Sequence, residues 1–357
     1  MALPEFASPH PSRIVEVSPS LANQLLSCRL RVGFMRDPQF RSWQRPNTHT
    51  ALGLTAHAVT EAAFRHTEWR GDPSSIPTRL RQRWHDEIRE QARRLDTAWA
   101  PAKPPPFEEW PGYALTMTRT IRRTTKLLTA ARRATSSQEP MGVEVELRDP
   151  DSGLCGRIDR IERDGSTTRV VDLKTGPHQE EPTEEQRRQL LLYAVLIHRT
   201  TGDWPTSIAI EDASGTRYTE PLDASSAEQA LADVQSAVAA FNTAIDKDIL
   251  IESAEPSDER CGRCAYRVVC HPYWDALESS WDHRSVVGTV VASGKSGGGA
   301  FAEIQIERPT DRTGRRMHLA GVAGTLPTDG KIAVIGWIGP ADGCDVRARW
   351  STVLRTW

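Results

Sequence analysis

Residues Gly156 to Gly176 read GRIDRIERDGSTTRVVDLKTG, and the fold follows from how this stretch is divided. An apolar-alternating strand ends at Gly156-Arg157-Ile158-Asp159, a polar turn runs from Arg163 to Ser166, and a second strand from Arg169 to Lys174 stops at Gly176-Pro177. Asp172 and Lys174 are two residues apart on that strand and share a face. The hairpin can therefore aim Asp159, Asp172 and Lys174 at one point. A hard cation such as Mg²⁺ takes carboxylate oxygens and keeps several waters, one of which a lysine can orient. A lone D-x-K pair is ordinary on a solvated hairpin, so the weight rests on its company.

Downstream, Glu184 to Arg199 reads as a helix that becomes nearly apolar from Leu190 through Ile197. Gln189 and Tyr193 lie four apart on it and face the same way. Polar groups on the buried side of so apolar a helix need partners, and an active site or a substrate backbone would supply them. Upstream, GLTAHAVTE (Gly53 to Glu61) opens another helix with His57 and Glu61 four apart. Glu144 lies on an expected strand, Gly142 to Arg148, just before the hairpin.

With GxxxHxxxE, GxxD, DxK and QxxxY in this order, the chain resembles the PD-(D/E)XK nucleases in their RecB-like branch. The resemblance implies an α/β fold, a restriction-endonuclease-like mixed sheet flanked by helices, and Mg²⁺- or Mn²⁺-dependent hydrolysis of DNA. It implies metal on Asp159 and Asp172, joined by His57, with Lys174 at the attacking water and Gln189 and Tyr193 in the catalytic set. Glu144 matches an acidic position common in RecB-like sequences. The residue types suit the chemistry, because a divalent ion both stabilises charge on a phosphoryl group and lowers the pKa of water.

Of six cysteines, Cys261, Cys264 and Cys270 form a CxxCxxxxxC loop. Three thiolates are an incomplete tetrahedral set, and Cys28, after a short helix that Ser18 or Ser20 can cap, is the favoured fourth. RecB-like nucleases with an iron-sulfur cluster share this arrangement, so the resemblance implies a [4Fe-4S] cluster on Cys28, Cys261, Cys264 and Cys270. Zinc on the same four residues is the rival reading. A tie across more than two hundred residues would contribute ~5 kcal/mol through loop closure alone. Disulfides are disfavoured: MALPEFASPHPSR lacks the apolar core of an export signal, and a cytoplasmic location with no membrane partner is expected. Cys155 and Cys344 read as small buried residues.

Lys+Arg 45 against Asp+Glu 47 leaves the chain near neutrality, so a surface for nucleic acid has to come from local clusters. Arg79, Arg81, Arg83, Arg89, Arg93 and Arg94 fall in one expected helix, and Arg119, Arg122, Arg123, Lys126, Arg132 and Arg133 in another. In the second, Leu115, Ile121, Leu127 and Leu128 leave a packing face while the basic residues face outward, where they can track phosphates. Both helices belong to an expected helical insertion at about 62–138. Between them the proline-rich linker Ala100 to Gly112, near Trp99 and Trp110, offers rings for base stacking.

The nuclease unit is expected to span residues 1–282. After it come short alternating strands at Ser285 to Ala292, Ala300 to Glu307, Arg316 to Ala320, Lys331 to Ile338 and Asp345 to Trp350, with a turn at Ser293 to Gly299. They predict a small OB-like or SH3-like β-barrel over 283–357. Gly294-Lys295-Ser296 imitates the end of a P-loop but lacks its first glycine and following helix, and its GxSxG match lies in a hairpin turn. The chain thus carries no ATP motor, and any unwinding needs a helicase or recombination partner. The expected activity is a DNA nuclease, an exonuclease on single strands or ends, in repair, recombination or defence. The alternative is a catalytically silent iron-sulfur subunit that binds DNA or a partner within a helicase-nuclease complex.

Overall fold

The computed structural model describes residues 8–44, 47–65, 72–97, 104–133, 142–174, 181–212, 215–278, 280–281, 284–340, 344–349 and 351–356. Its helices are α1 (Pro19–Ser27), α2 (Arg29–Arg36), α3 (Thr48–Arg65), α4 (Ile76–Thr97), α5 (Tyr113–Arg133), α6 (Glu184–Thr201), α7 (Ala224–Asp246), α8 (Asp258–Gly262) and α9 (His271–Ala276). The strands of the first sheet are β1 (Gly142–Asp149), β2 (Leu154–Asp164), β3 (Thr167–Leu173), β4 (Ser207–Glu211) and β5 (Arg217–Pro221). Those of the second are β6 (Ser285–Ser296), β7 (Gly299–Arg308), β8 (Arg316–Val322), β9 (Lys331–Ile335), β10 (Asp345–Arg347) and β11 (Val353–Thr356). The expected Gly176-Pro177 break and Trp99 lie outside the described residues.

The expected hairpin forms, with longer strands and a tighter turn. β2 and β3 meet at Gly165-Ser166, where Gly165 takes the left-handed φ of 58° that a two-residue hairpin favours. Asp159 accordingly lies within β2 and not at a strand end. The first sheet runs in the order β1-β2-β3-β4-β5, antiparallel except where β3 and β4 run parallel. That parallel pair requires a crossover, and α6 is the helix in it. A capping box between Thr183 and Gln186 starts α6, and Gly202 in the left-handed region ends it. Leu190, Leu192, Val195 and Leu196 are buried because the helix lies between the sheet and helices α1 and α7. Each such side chain contributes roughly 1.5–3 kcal/mol relative to exposure, which fixes α6, and with it Gln189 and Tyr193, against β3.

Helices α3, α4 and α5 pack around a separate core that includes Leu52, Val59, Leu80, Trp84 and Ile121. Ala51 and Leu52 of α3 belong to this core. Trp110 is buried and donates from Nε1 to the Pro105 carbonyl at 3.0 Å, so it offers no free ring for base stacking. Much of the arginine-rich face of α4 is neutralised along the helix, where Arg83 pairs with Glu87, Arg89 with Asp86, and Arg93 and Arg94 with Glu90. On α5, Arg122 and Lys126 face outward as expected, but Leu115 is exposed and Arg123 is buried.

The C-terminal strands form an open six-stranded sheet in the order β10-β8-β7-β6-β9-β11 and do not close into a barrel. The edge strand β10 has three residues, and among the described residues the gap is crossed by one Ile338–Arg347 bridge, two hydrogen bonds of 2.8 Å, too short for a ladder. β11 is a strand that the sequence reading missed, and β6 and β7 extend through most of the expected Ser293–Gly299 turn. Val287, Ala333 and Ile335 of this sheet share a core with Tyr273 and Trp274, so it packs directly on the preceding segment. None of the described helices is long and apolar enough to cross a membrane.

Candidate metal centre

The β1–β2 ladder pairs Val143 with Arg160 and Val145 with Ile158, which sets Glu144 opposite Asp159. Glu144 takes a φ of 55°, a conformation costly for any residue that carries a Cβ and one that marks functional sites when the surroundings enforce it. On the other side of β2, pairing with β3 stops at Arg160–Val171. The strands splay beyond that point, and the Leu173 N–H donates instead to Asp159 Oδ2 at 2.6 Å. The carboxylate is thereby fixed by the backbone of the strand that carries Asp172.

From α3, His57 Nδ1 comes within 3.1 Å of Glu144 Oε1 and 3.5 Å of Asp159 Oδ1. One ligand atom from each of His57, Glu144 and Asp159 lies within 4.8 Å of the others, a spacing that could hold a cation. Asp172 flanks this group. Its Oδ2 is 2.7 Å from Lys174 Nζ, and its Oδ1 accepts from Gln189 Nε2 at 3.0 Å. Gln189 is oriented at both ends: its carbonyl accepts from Lys174 Nζ at 3.4 Å and its amide donates to the Tyr193 hydroxyl at 3.3 Å. Tyr193 packs over Gly156, where an added Cβ would stand 3.0 Å from the ring. All six expected residues of the site, His57, Asp159, Asp172, Lys174, Gln189 and Tyr193, thus converge. The tight group contains Glu144, whose role the sequence left uncertain, while Asp172 sits one step away from it.

Electrostatics follow from the crowding. Burial, reinforced by the charge of Asp172, pushes the Asp159 carboxyl up to about 7. Burial alone would lower the His57 imidazolium, but the Glu144 hydrogen bond and the Asp159 charge outweigh it and raise the group. Burial holds the Tyr193 phenol well above its usual range, so it stays protonated. Without a cation the cluster retains protons, and a cation would displace them.

The sequence reading did not anticipate the ionic layer behind these groups. Arg157 binds Glu144 Oε2 through Nε at 2.9 Å and also pairs with Glu61, so Glu61 braces Glu144 through Arg157. Deeper in the sheet, Arg160 binds Glu211 at 2.5 Å and Glu162 at 3.0 Å, and Arg217 binds the same two carboxylates at 2.6 and 2.8 Å. Burial pushes the Glu211 carboxyl up, yet Arg160 and Arg217 hold it below the usual carboxylate range. The alternation of charge in RIDRIERD, Arg157 to Asp164, was the available signal.

Cys28, Cys261, Cys264 and Cys270 line one cavity between the α1–α2 corner and the α8–α9 segment, together with Arg31, Phe34 and Tyr266. Burial pushes the Cys264 thiol up to about 11 and that of Cys270 well above its usual value, and the proximity of Cys28 and Cys261 adds to both. Among the described residues no three cysteine sulfurs lie within 4.8 Å of one another. Cys155 is half-buried and Cys344 exposed, so neither is the buried packing residue expected.

A model of the PD-(D/E)XK nuclease superfamily matches residues 16–271, a span that takes in His57, Glu144, Asp159, Asp172, Lys174, Gln189 and Tyr193. The chain belongs to this superfamily. Among solved structures, a protein from Eubacterium rectale named as a candidate exonuclease aligns at 9% identity over 74% of this chain and 89% of its own, with a TM-score of 0.37. The protein SSO0001 aligns at 16% identity over 61% of this chain and 95% of its own, with a TM-score of 0.26. No curated protein matches the sequence.

Proposed function

We propose that this superfamily member is a divalent-metal-dependent DNA nuclease, an exonuclease acting on single strands or ends, of the RecB-like type. One observation carries the reading: the His57–Glu144–Asp159 group lies beside Asp172, whose neighbour Leu173 donates its N–H to Asp159, and Asp172 is linked in turn to Lys174, Gln189 and Tyr193. The donor set, one imidazole and carboxylate oxygens, suits Mg²⁺ or Mn²⁺. His57, Glu144, Asp159 and Asp172 would hold the ion, which when bound supplies Lewis acidity and an acidified water.

The chain's own groups do the rest. Lys174 donates to the attacking water and balances charge that develops on the phosphoryl oxygens. Gln189 holds Lys174 and Asp172 in register, and Tyr193 anchors Gln189 from the hydrophobic side. Cys28, Cys261, Cys264 and Cys270 line one cavity, which supports a shared metal group on the four thiolates. Four thiolates around a [4Fe-4S] cluster fit the donor set, and the cluster would tie Cys28 to the segment that follows α7.

The test is cleavage of labelled single- and double-stranded DNA with Mg²⁺ or Mn²⁺ by the purified protein beside an Asp172→Ala variant. Cleavage by the wild type alone is expected. Equal or absent cleavage by both proteins would overturn the reading.

A further inference from the structure

Arg123 of the α5 basic cluster lies on the opposite side from the outward one the sequence suggests. It is 6% exposed, faces the sheet, and makes no hydrogen bond through Nε or Nη1. A buried guanidinium left in this state is unusual. An unmade hydrogen bond to a buried polar group costs roughly 1–3 kcal/mol, and more when the group is charged.

The neighbouring acids do not account for it. Glu211 is already held by Arg160 and Arg217, and Asp159 is committed to the Leu173 N–H and to His57. Arg123 nevertheless lies close enough to feel the charges of Glu211, Asp159 and Asp212, and to act on His57. Its Nε and Nη1 lie in a poorly hydrated place with no hydrogen-bond acceptor. Planar donors of that kind match the anionic oxygens of a phosphodiester.

We propose that Arg123 is a substrate-binding residue, the anchor for a backbone phosphate of the nucleic-acid strand lying against the metal centre. The inference rests on the nuclease reading for the identity of the anion. It assigns a task to the helical bundle beyond supplying His57, because α5 then delivers a fixed positive charge to the strand while the sheet supplies the carboxylates.

Arg123→Met and Arg123→Lys test this in the full-length protein, compared in melting temperature without metal, Mn²⁺ affinity, kcat and KM, and the salt dependence of binding to a fluorescent single-stranded oligonucleotide in Ca²⁺. Removing one phosphate contact lowers the slope of log K against log salt by about 0.7 for a single strand. Arg123→Met is expected to lose that increment, to lower kcat/KM by about 10²-fold or more, and to melt no earlier than the wild type, since an unpaired buried charge has been removed. Its Mn²⁺ binding should be unchanged or tighter. Arg123→Lys should restore the salt slope but not the full rate.

An Arg123→Met protein that binds Mn²⁺ like the wild type, melts earlier and keeps the full slope would overturn the proposal and leave Arg123 a structural counter-charge. Failure of the nuclease reading has a different signature, equal cleavage by the wild type and Asp172→Ala, and the binding slope decides the role of Arg123 in either case.

Discussion

Asp159→Asn in metal-free protein should remove a pH dependence that the wild type shows. The Asp159 carboxyl is pushed up to about 7 in the folded state, whereas an unfolded aspartate titrates near 3.9. A folded pKa raised above the unfolded value means that the stability it contributes is present in full below about pH 4 and is lost as pH rises through 7. The gap of roughly three units corresponds to roughly 4 kcal/mol at most. His57, also raised, has the same sign, and because the two titrate together the share of Asp159 is about 2–4 kcal/mol. Guanidinium unfolding in EDTA at pH 5, 6, 7 and 8 reads the slope, and the difference between the wild type and Asp159→Asn isolates this group from the other carboxylates. Between pH 5 and pH 8, which samples only part of that range, the variant should gain on the wild type by about 1–2.5 kcal/mol. Mn²⁺ should restore wild-type stability at pH 8 and do little at pH 5, where it competes with the proton. Parallel pH slopes for the two proteins in EDTA would refute the account of a crowded, proton-holding cage.

Other substitutions probe other parts of the site. Glu144→Gln should weaken Mn²⁺ binding by about 10–100-fold with little change in metal-free melting, measured by calorimetric titration; unchanged affinity would remove Glu144 from the cage. Gln189→Leu should lower kcat by a similar about 10–100-fold while KM stays near the wild-type value, because it releases Lys174 and Asp172 without touching substrate. Gly156→Val would drive a branched side chain into Tyr193, Leu196 and Pro19 and should destabilise by about 1–3 kcal/mol, visible as an earlier unfolding midpoint. The anaerobically purified protein should be brown, and Cys264→Ser should lose the visible absorbance; a colourless protein with one zinc per chain would refute the iron-sulfur assignment.

The hairpin, the crossover helix and the convergence of six side chains could be read from residues 53–193 because each depends on short-range pattern: alternation and i,i+4 spacing. The helix expected at Glu184 to Arg199 forms as α6, Glu184–Thr201. What stayed hidden depends on pairing between segments far apart in the chain. Glu144 gains its place from standing opposite Asp159 across a ladder, and Glu211 becomes an ion-layer residue only once β4 lies beside β3 and brings it within reach of Arg160. Arg123 was expected outward because Leu115, Ile121, Leu127 and Leu128 already supply a packing face, and a helical wheel cannot say which arginine becomes covered. The open C-terminal sheet was missed for a related reason, since closure depends on whether two edges meet and no single strand encodes that.

His57 grows from a helix with its own hydrophobic core, whereas Glu144 and Asp159 grow from the sheet. A cation gripped by all three would therefore act as a cross-link between two separately packed bodies. Their unfolding should be less cooperative in EDTA and should merge into a single, sharper event once Mn²⁺ is bound. Hydrogen exchange in α3 would then report metal occupancy from residues that never touch the ion.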